Sequence, residues 1–229
     1  MKIQNLIPII CLSFLIHPIT TAFGYEHSNF WEKRIKVDAN GSGLPAAMTS
    51  LDLNAIGRIY QEGSNGPRGF GTVSHIGDGL VVTAGHVIRK ESCPRSVIQW
   101  GARDGRIAQV SRCIEVIHRE VGRYYDVAIF RVDIVPDAAI ELALDDNPPD
   151  PGTRLLLLGH LAGSDLLEGR GQMKLMRKRS SMVAALPSGS GDSGAPIFSE
   201  ATGSLIGIYS GREGLEAIGT WIGRIMGHL

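Results

Sequence analysis

The chain has 229 residues, enough for one domain or two and for a sizeable buried core. Lys+Arg and Asp+Glu each total 23, so the overall charge favours neither nucleic acid nor an anionic membrane surface as a partner. Glycine is abundant at 29 while aromatic residues make up 6%, which suits many short strands joined by tight turns.

The N-terminus reads as an address. Lys2 precedes the apolar run 6–16, which breaks at His17-Pro18, and small residues follow at 20–22. These are the three parts of a secretory signal over residues 1–22, with cleavage after Ala22 or Gly24. The run falls short of the roughly 20 apolar residues that a membrane span needs, so the mature chain is expected to be secreted or periplasmic, without a membrane anchor. Cys11 leaves with the signal. Cys93 and Cys113 are then expected to form one disulfide closing a loop of about 20 residues, worth on the order of 3 kcal/mol in the chain-entropy model. A pair of buried free thiols is the alternative. Two cysteines without a CxxC spacing are too few for a structural zinc site, and neither a metal nor a cofactor is expected.

Residues 23–52 mix charge, glycine and proline without periodicity. They read as a leader or N-terminal extension, removed or retained, with ordered structure starting near Leu53. The first strand-rich half covers residues 53–135. Its β-rich runs 70–76 and 80–83 flank Gly77-Asp78-Gly79, a hairpin signal. The second run ends at Thr83 and residues 84–88 read as a short helical turn, which puts His86 where a strand stops. Taken alone, such a histidine is most often an ordinary packed or surface residue. Strands are also expected at 96–100, 106–110 and 113–117. After the polar loop 118–125, Asp126 opens the nearly all-apolar strand 126–132; by itself it reads equally as a turn or cap residue.

Residues 136–151, with four prolines and several acids, read as a connector to a second half, 152–229. That half begins with a buried strand over 152–160. A basic stretch at 174–179 reads as a solvated loop or an exposed processing site. Strands are expected at 181–186, 195–198 and 205–209, and a short C-terminal helix at 221–226. No internal repeat at solenoid spacing is present.

Between two of these strands lies Ser188-Gly189-Ser190-Gly191-Asp192-Ser193-Gly194-Ala195-Pro196. A nucleophilic serine needs an exposed hydroxyl and N–H groups aimed where negative charge develops. Glycines at 191 and 194 let the chain turn tightly enough to supply both. Read alone, the stretch is also compatible with a plain Gly/Ser loop. His86, Asp126 and Ser193 together divide the work by pKa. A hydroxyl is a poor nucleophile near neutral pH, an imidazole can take its proton, and a carboxylate on the other ring nitrogen fixes the tautomer.

Three blocks carry a family resemblance: Thr83-Ala84-Gly85-His86-Val87, Asp126-Val127-Ala128-Ile129 and Gly191-Asp192-Ser193-Gly194-Ala195-Pro196. In this order they resemble the signatures of the trypsin-like, chymotrypsin-fold serine peptidases, over roughly residues 54–226. The resemblance implies an all-β fold of two six-stranded antiparallel β-barrels with the three residues in the cleft between them. It implies His86 as general base and acid, Asp126 as its orienting partner and Ser193 as nucleophile. The N–H groups of Gly191 and Ser193 would form the oxyanion hole, and Gly207-Ile208-Tyr209-Ser210-Gly211 resembles the strand on which substrate backbone docks. Ser210, Gly211 and Arg212 are the candidate substrate-binding residues, with Arg212 either reaching the pocket to favour an acidic side chain or standing as a solvated loop residue. Val116-Ile117-His118 resembles the apolar-His element before the family's aspartate, which makes His118 an improbable metal ligand.

The departures are informative. The histidine block lacks the cysteine of the digestive enzymes, and Gly159-His160-Leu161-Ala162-Gly163 is closer to the bacterial branches, those of the glutamyl endopeptidases and Deg-type peptidases. No Ile-Val-Gly-Gly terminus follows a basic residue, and Arg34-Ile35 is the one candidate for an activating cut that would free an α-amino group for Asp192. Pro187 stands where an aspartate would select Arg or Lys, Tyr209 stands where a glutamyl endopeptidase carries histidine, and no side-chain preference follows. The expected function is a secreted serine endopeptidase acting on protein or peptide substrates through an acyl-enzyme. The alternatives are a catalytically silent homologue that binds a partner, and a serine esterase. Esterases of the Gly-x-Ser-x-Gly type place histidine last in the chain, whereas here it comes first.

Overall fold

The computed structural model describes residues 33–38, 40–140, 142, 147–178 and 180–225; the expected signal at 1–22 lies outside them. Alternating burial closes the first half into a barrel. Strands β2 (Ile56–Gln61), β3 (Arg68–His75), β4 (Leu80–Thr83), β5 (Ser96–Trp100), β6 (Gln109–Val121) and β7 (Asp126–Val132) pair antiparallel in the closed order β2-β3-β4-β7-β6-β5. Ile59, Val73, Val81, Ile98, Trp100 and Phe130 fill its interior. Closure removes the unpaired edges that an open sheet would expose. The β3–β4 turn needs positive φ at three consecutive residues, Gly77, Asp78 and Gly79, which explains its composition.

The second half repeats the design. Strands β8 (Arg154–Gly159), β9 (Leu167–Arg177), β10 (Ser181–Ala185), β11 (Pro196–Ser199), β12 (Leu205–Glu213) and β13 (Glu216–Trp221) run β9-β10-β13-β12-β11-β8, and β8 pairs back with β9. One helical turn, Ile222–Ile225, ends the described chain; of the helix expected at 221–226, Trp221 closes β13 and Met226 lies outside the described residues.

The two strands that read as continuously apolar, β7 and β8, are buried on both faces. Ala128 and Phe130 point into the first barrel while Val127 and Ile129 join a second cluster with Leu156, Leu158, Phe198 and Ile208 from the other half. Leu155 and Leu157 fill the second barrel. A strand between two cores has no solvent face, so its pattern loses the period of two.

Four expectations need correction. Ordered elements begin at Ile35 rather than near Leu53: β1 (Ile35–Lys36) extends the second sheet by pairing with β9, and Val37 and Met48 are buried in the cluster between the halves. So short a strand carries no periodicity to read. Residues 109–110 of the strand expected at 106–110 and the strand expected at 113–117 belong to one strand, β6, bent by two register shifts at 113/115 and 116/118, while Arg106 makes an isolated bridge with Arg103. Residues 84–88 form a turn, closed by Val87 N–H to Ala84 O at 3.0 Å, not a helical segment. The basic residues Lys174 and Arg177 lie in β9 and not in a solvated loop; Lys174 pairs with Glu216 at 3.0 Å and Arg177 with Glu213. A disulfide joins Cys93 to Cys113, tying the start of β5 to β6 across a separation of 20 residues.

Candidate active site

His86 follows the end of β4 in a turn pressed against the β6–β7 connection. Gly85 makes that approach possible: a Cβ there would lie 2.2 Å from Glu120 O and 2.8 Å from Val127 O. Arg119 braces the turn from outside, its Nε donating to Gly85 O at 2.7 Å and Ile88 O at 2.8 Å. The result sets His86 over the first residue of β7. Its backbone N–H donates to Asp126 Oδ1 at 3.0 Å, and Nδ1 lies 2.6 Å from Asp126 Oδ2. An ionised carboxylate only accepts, so Nδ1 carries the proton and Nε2 of the neutral ring is left with its lone pair. The imidazole is 42% exposed while the carboxylate beneath it is 12% exposed. Asp126 is itself anchored across the barrels, its N–H donating to Thr220 Oγ1 at 3.0 Å.

The serine loop is fitted between the halves. Gly194 has φ +89°, and a Cβ on it would lie 2.0 Å from Thr83 Oγ1, 2.1 Å from Thr72 O and 3.0 Å from Ala84 N. Its N–H donates to Tyr209 O at 2.7 Å, and the neighbouring Ser193 O accepts from Thr72 N–H at 2.8 Å. The serine backbone thus lies against the strand end that leads into His86. Gly191, at φ +96°, faces the turn at 160–163, where a Cβ would lie 2.4 Å from Ala162 N and 2.5 Å from His160 O.

Two carbonyls set the direction of the neighbouring amides. Ser190 O accepts from Ala162 N–H at 2.6 Å and Asp192 O accepts from Ala195 N–H at 2.7 Å. In a trans peptide the N–H points opposite the carbonyl, so the N–H groups of Gly191 and Ser193 are turned away from these partners. Among the described residues, neither donates a hydrogen bond within the chain. Unspent, oriented donors beside a serine are what an oxyanion site requires. Thr72 adds a brace: its hydroxyl donates to Gly191 O at 2.9 Å and accepts from His160 N–H at 3.0 Å.

Asp192 is fully buried, and burial raises its carboxyl above the ordinary value, against the pull of Arg34 and the Gly189 N–H. Arg34 donates to Asp192 Oδ2 at 2.7 Å. In sequence Arg34 stood out only as the residue before a candidate cut. The unmatched charge of Asp192 was the one signal available, and it carries no address for a partner 158 residues away.

The residues expected to line the substrate cleft are brought close to Asp126. Ser210 lies where β12 bulges against β13, and its hydroxyl is 3.5 Å from Asp126 O and from Thr220 Oγ1. Ser210, Gly211 and Arg212 line a cleft of about 260 Å³ together with Tyr124, Asp126 and Thr220. Arg212 donates to Ser188 O at 3.3 Å. Tyr209 lies buried beside Ser188, and burial pushes its phenol up to about 12. A larger groove of about 630 Å³, by Pro149, Thr153, Leu205 and Trp221, is lined by none of His86, Asp126 and Ser193.

A family model for the trypsin-like peptidase domain matches residues 69–208. No curated protein matches in sequence. Among solved structures, the Rv3671c protease of M. tuberculosis in its active form superposes with a TM-score of 0.66 at 16% identity, covering 85% of this chain and 87% of that one. A serine endoprotease from Yersinia pestis matches with a TM-score of 0.64 at 17% identity, over 79% of this chain and 62% of that one. An inactivated protease paralogue of the scabies mite matches with a TM-score of 0.63 at 15% identity, over 80% and 93%. Likeness at these identities establishes the shared fold.

Proposed function

Since this chain belongs to the trypsin-like peptidase domain family, we propose that it is an exported serine endopeptidase working through His86, Asp126 and Ser193. The observation that carries this reading is the imidazole held at 2.6 Å by a shielded carboxylate, with the serine loop packed against the same strand end. A silent homologue has no use for a tautomer so held, although the fold also occurs in an inactivated paralogue.

In this mechanism His86 Nε2 removes the Ser193 hydroxyl proton as Oγ adds to the scissile carbonyl. The N–H groups of Gly191 and Ser193 receive the developing oxyanion, each worth about 2.7–4 kcal/mol in comparable sites. Asp126 stabilises the imidazolium, which then protonates the leaving amine. An acyl-enzyme remains on Ser193. Water, activated by the same imidazole, releases the acid and restores the serine. Ser210, Gly211 and Arg212 dock the substrate backbone beside Asp126.

The test is hydrolysis of a peptide library by the purified mature chain, alongside labelling with a fluorophosphonate. Ser193→Ala is expected to lower kcat on the order of 10⁶-fold and to abolish labelling with the fold intact. Labelling that survives the substitution would identify another nucleophile. His86→Ala is expected to lower kcat by a comparable factor. A loss under tenfold in that variant would remove His86 as the base.

A further inference from the structure

Asp192 stands between the two residues whose N–H groups face the developing oxyanion, so whatever holds its side chain holds that loop. The side chain of Arg34 is 2% exposed and that of Asp192 is 0% exposed. One guanidinium nitrogen donates to Asp192 Oδ2 at 2.7 Å and to Pro187 O at 3.2 Å. The other donates to Leu167 O at 2.8 Å and Gly159 O at 3.3 Å. A single planar group therefore joins the serine loop, the segment leading into it and the ends of β8 and β9. The site is shaped for it: a Cβ on Gly169 would lie 2.9 Å from Arg34 Cδ. Asp192 Oδ1 accepts no hydrogen bond among the described residues, and Gly189 N–H at 2.9 Å shares Oδ2 with Arg34.

Arg34 belongs to neither barrel. It arrives on the segment before β2, fixed by Ile35 pairing with Glu168, by Val37 N–H donating to Leu166 O at 3.1 Å, and by buried Val37 and Met48.

We propose that Arg34 is a positioning residue for the serine loop, and that the segment carrying it is a permanent part of the working enzyme rather than a leader to be cut away. The guanidinium supplies the positive charge that Asp192 needs, in a geometry that a freed amino terminus does not reproduce. An α-amino group at Ile35 is a single ammonium, and to reach Asp192 it would have to leave its place opposite Glu168. A forked guanidinium makes four bonds at once from where it stands. A cut between Arg34 and Ile35 is thus inactivating, the reverse of an activating cleavage.

This inference rests on the endopeptidase reading, and the experiment separates the two. Wild type, Arg34→Ala, Arg34→Lys and a chain starting at Ile35 are compared by peptide hydrolysis, fluorophosphonate labelling rate and circular dichroism. Arg34→Ala is expected to lose on the order of 10²- to 10³-fold in kcat with KM little changed, the loss typical of a disabled oxyanion donor. The labelling rate should fall in parallel. Arg34→Lys should fall between, because one ammonium serves Asp192 but not all three carbonyls. Added guanidinium ion should restore part of the kcat of Arg34→Ala and leave wild type unchanged, a rescue that general loss of packing would not show.

Where Arg34→Ala fails to fold, the double change Arg34→Gln with Asp192→Asn removes the buried charge with its partner. It is expected to fold and still to lack kcat. Full activity in Arg34→Ala, in that double variant or in the chain starting at Ile35 overturns the inference. An inert wild type overturns the endopeptidase reading and this inference with it.

Discussion

The two barrels position their candidate catalytic residues by different means. In the first, β4 and β7 pair directly, Thr83 opposite Ala128, so His86 and Asp126 sit at adjoining ends of one ladder. Apart from Thr220 and Ser210, the bonds that orient the pair come from within that barrel. The serine loop of the second barrel is held from within by Tyr209, Ala162 and Arg212, and also from outside. Thr72 of the first barrel grips Ser193 O and Gly191 O, and Arg34 from the preceding segment grips Asp192. His86 is set mainly by local sheet geometry; the Ser193 loop depends in addition on an interface. Disturbing the contact between the halves should therefore damage the loop before it damages the base.

Asp126→Asn strikes the self-contained half. It is expected to lower kcat on the order of 10⁴-fold while leaving the fold intact, since an amide can favour the wrong imidazole tautomer. Steady-state kinetics with circular dichroism checks both parts, and a loss under tenfold would mean that the carboxylate does not set the tautomer.

The disulfide lies in the same half. Replacing Cys93 and Cys113 by alanine should cost about 3 kcal/mol of unfolding free energy and leave kcat of the folded enzyme nearly unchanged. Urea titration measures the first and active-site-titrated kinetics the second. A large fall in kcat would show that the base side is less independent than the hydrogen bonds indicate.

His160 tests the interface half. Burial lowers its pKa from 6.5 to about 4, with Nδ1 donating to Ser164 O at 2.9 Å. The unfolded chain takes a proton as pH falls past 6.5, whereas the folded chain resists until about 4. Its contribution is complete above pH 6.5 and is lost progressively down to about 4, roughly 3 kcal/mol in all. The urea midpoint should drop over that window in wild type and drop less in His160→Gln. Equal slopes would remove His160 as the source.

The smallest effect is expected at the tie between the halves. Thr220→Val strands the buried N–H of Asp126 and should cost about 1–2 kcal/mol of stability with only a modest loss of kcat. A kcat loss as large as that of Asp126→Asn would show that the base, too, is set by the interface.

What could be read from the chain alone follows the range of each interaction. The hairpin at residues 77–79, the glycines beside Ser193 and the apolar β7 and β8 are local patterns, and each led to the right strand or turn. Strand β6 was read as two because its bulges are not written in hydrophobic period. Strand β9 was missed over Lys174 and Arg177, whose partners Glu213 and Glu216 stand on other strands. The role of the N-terminal extension is illegible in the chain for the same reason: nothing within it states that Asp192 needs a cation.

Residue order alone indicated many short strands joined by tight turns, and three short motifs carried the resemblance that implied the two-barrel class and proposed the three side chains of the candidate site, because such motifs demand particular backbone conformations and particular chemistry. Only the tertiary structure decided what surrounds Asp192. A buried carboxylate must find its countercharge wherever the folded chain brings one, and that pairing depends on three-dimensional closeness, not on spacing along the sequence.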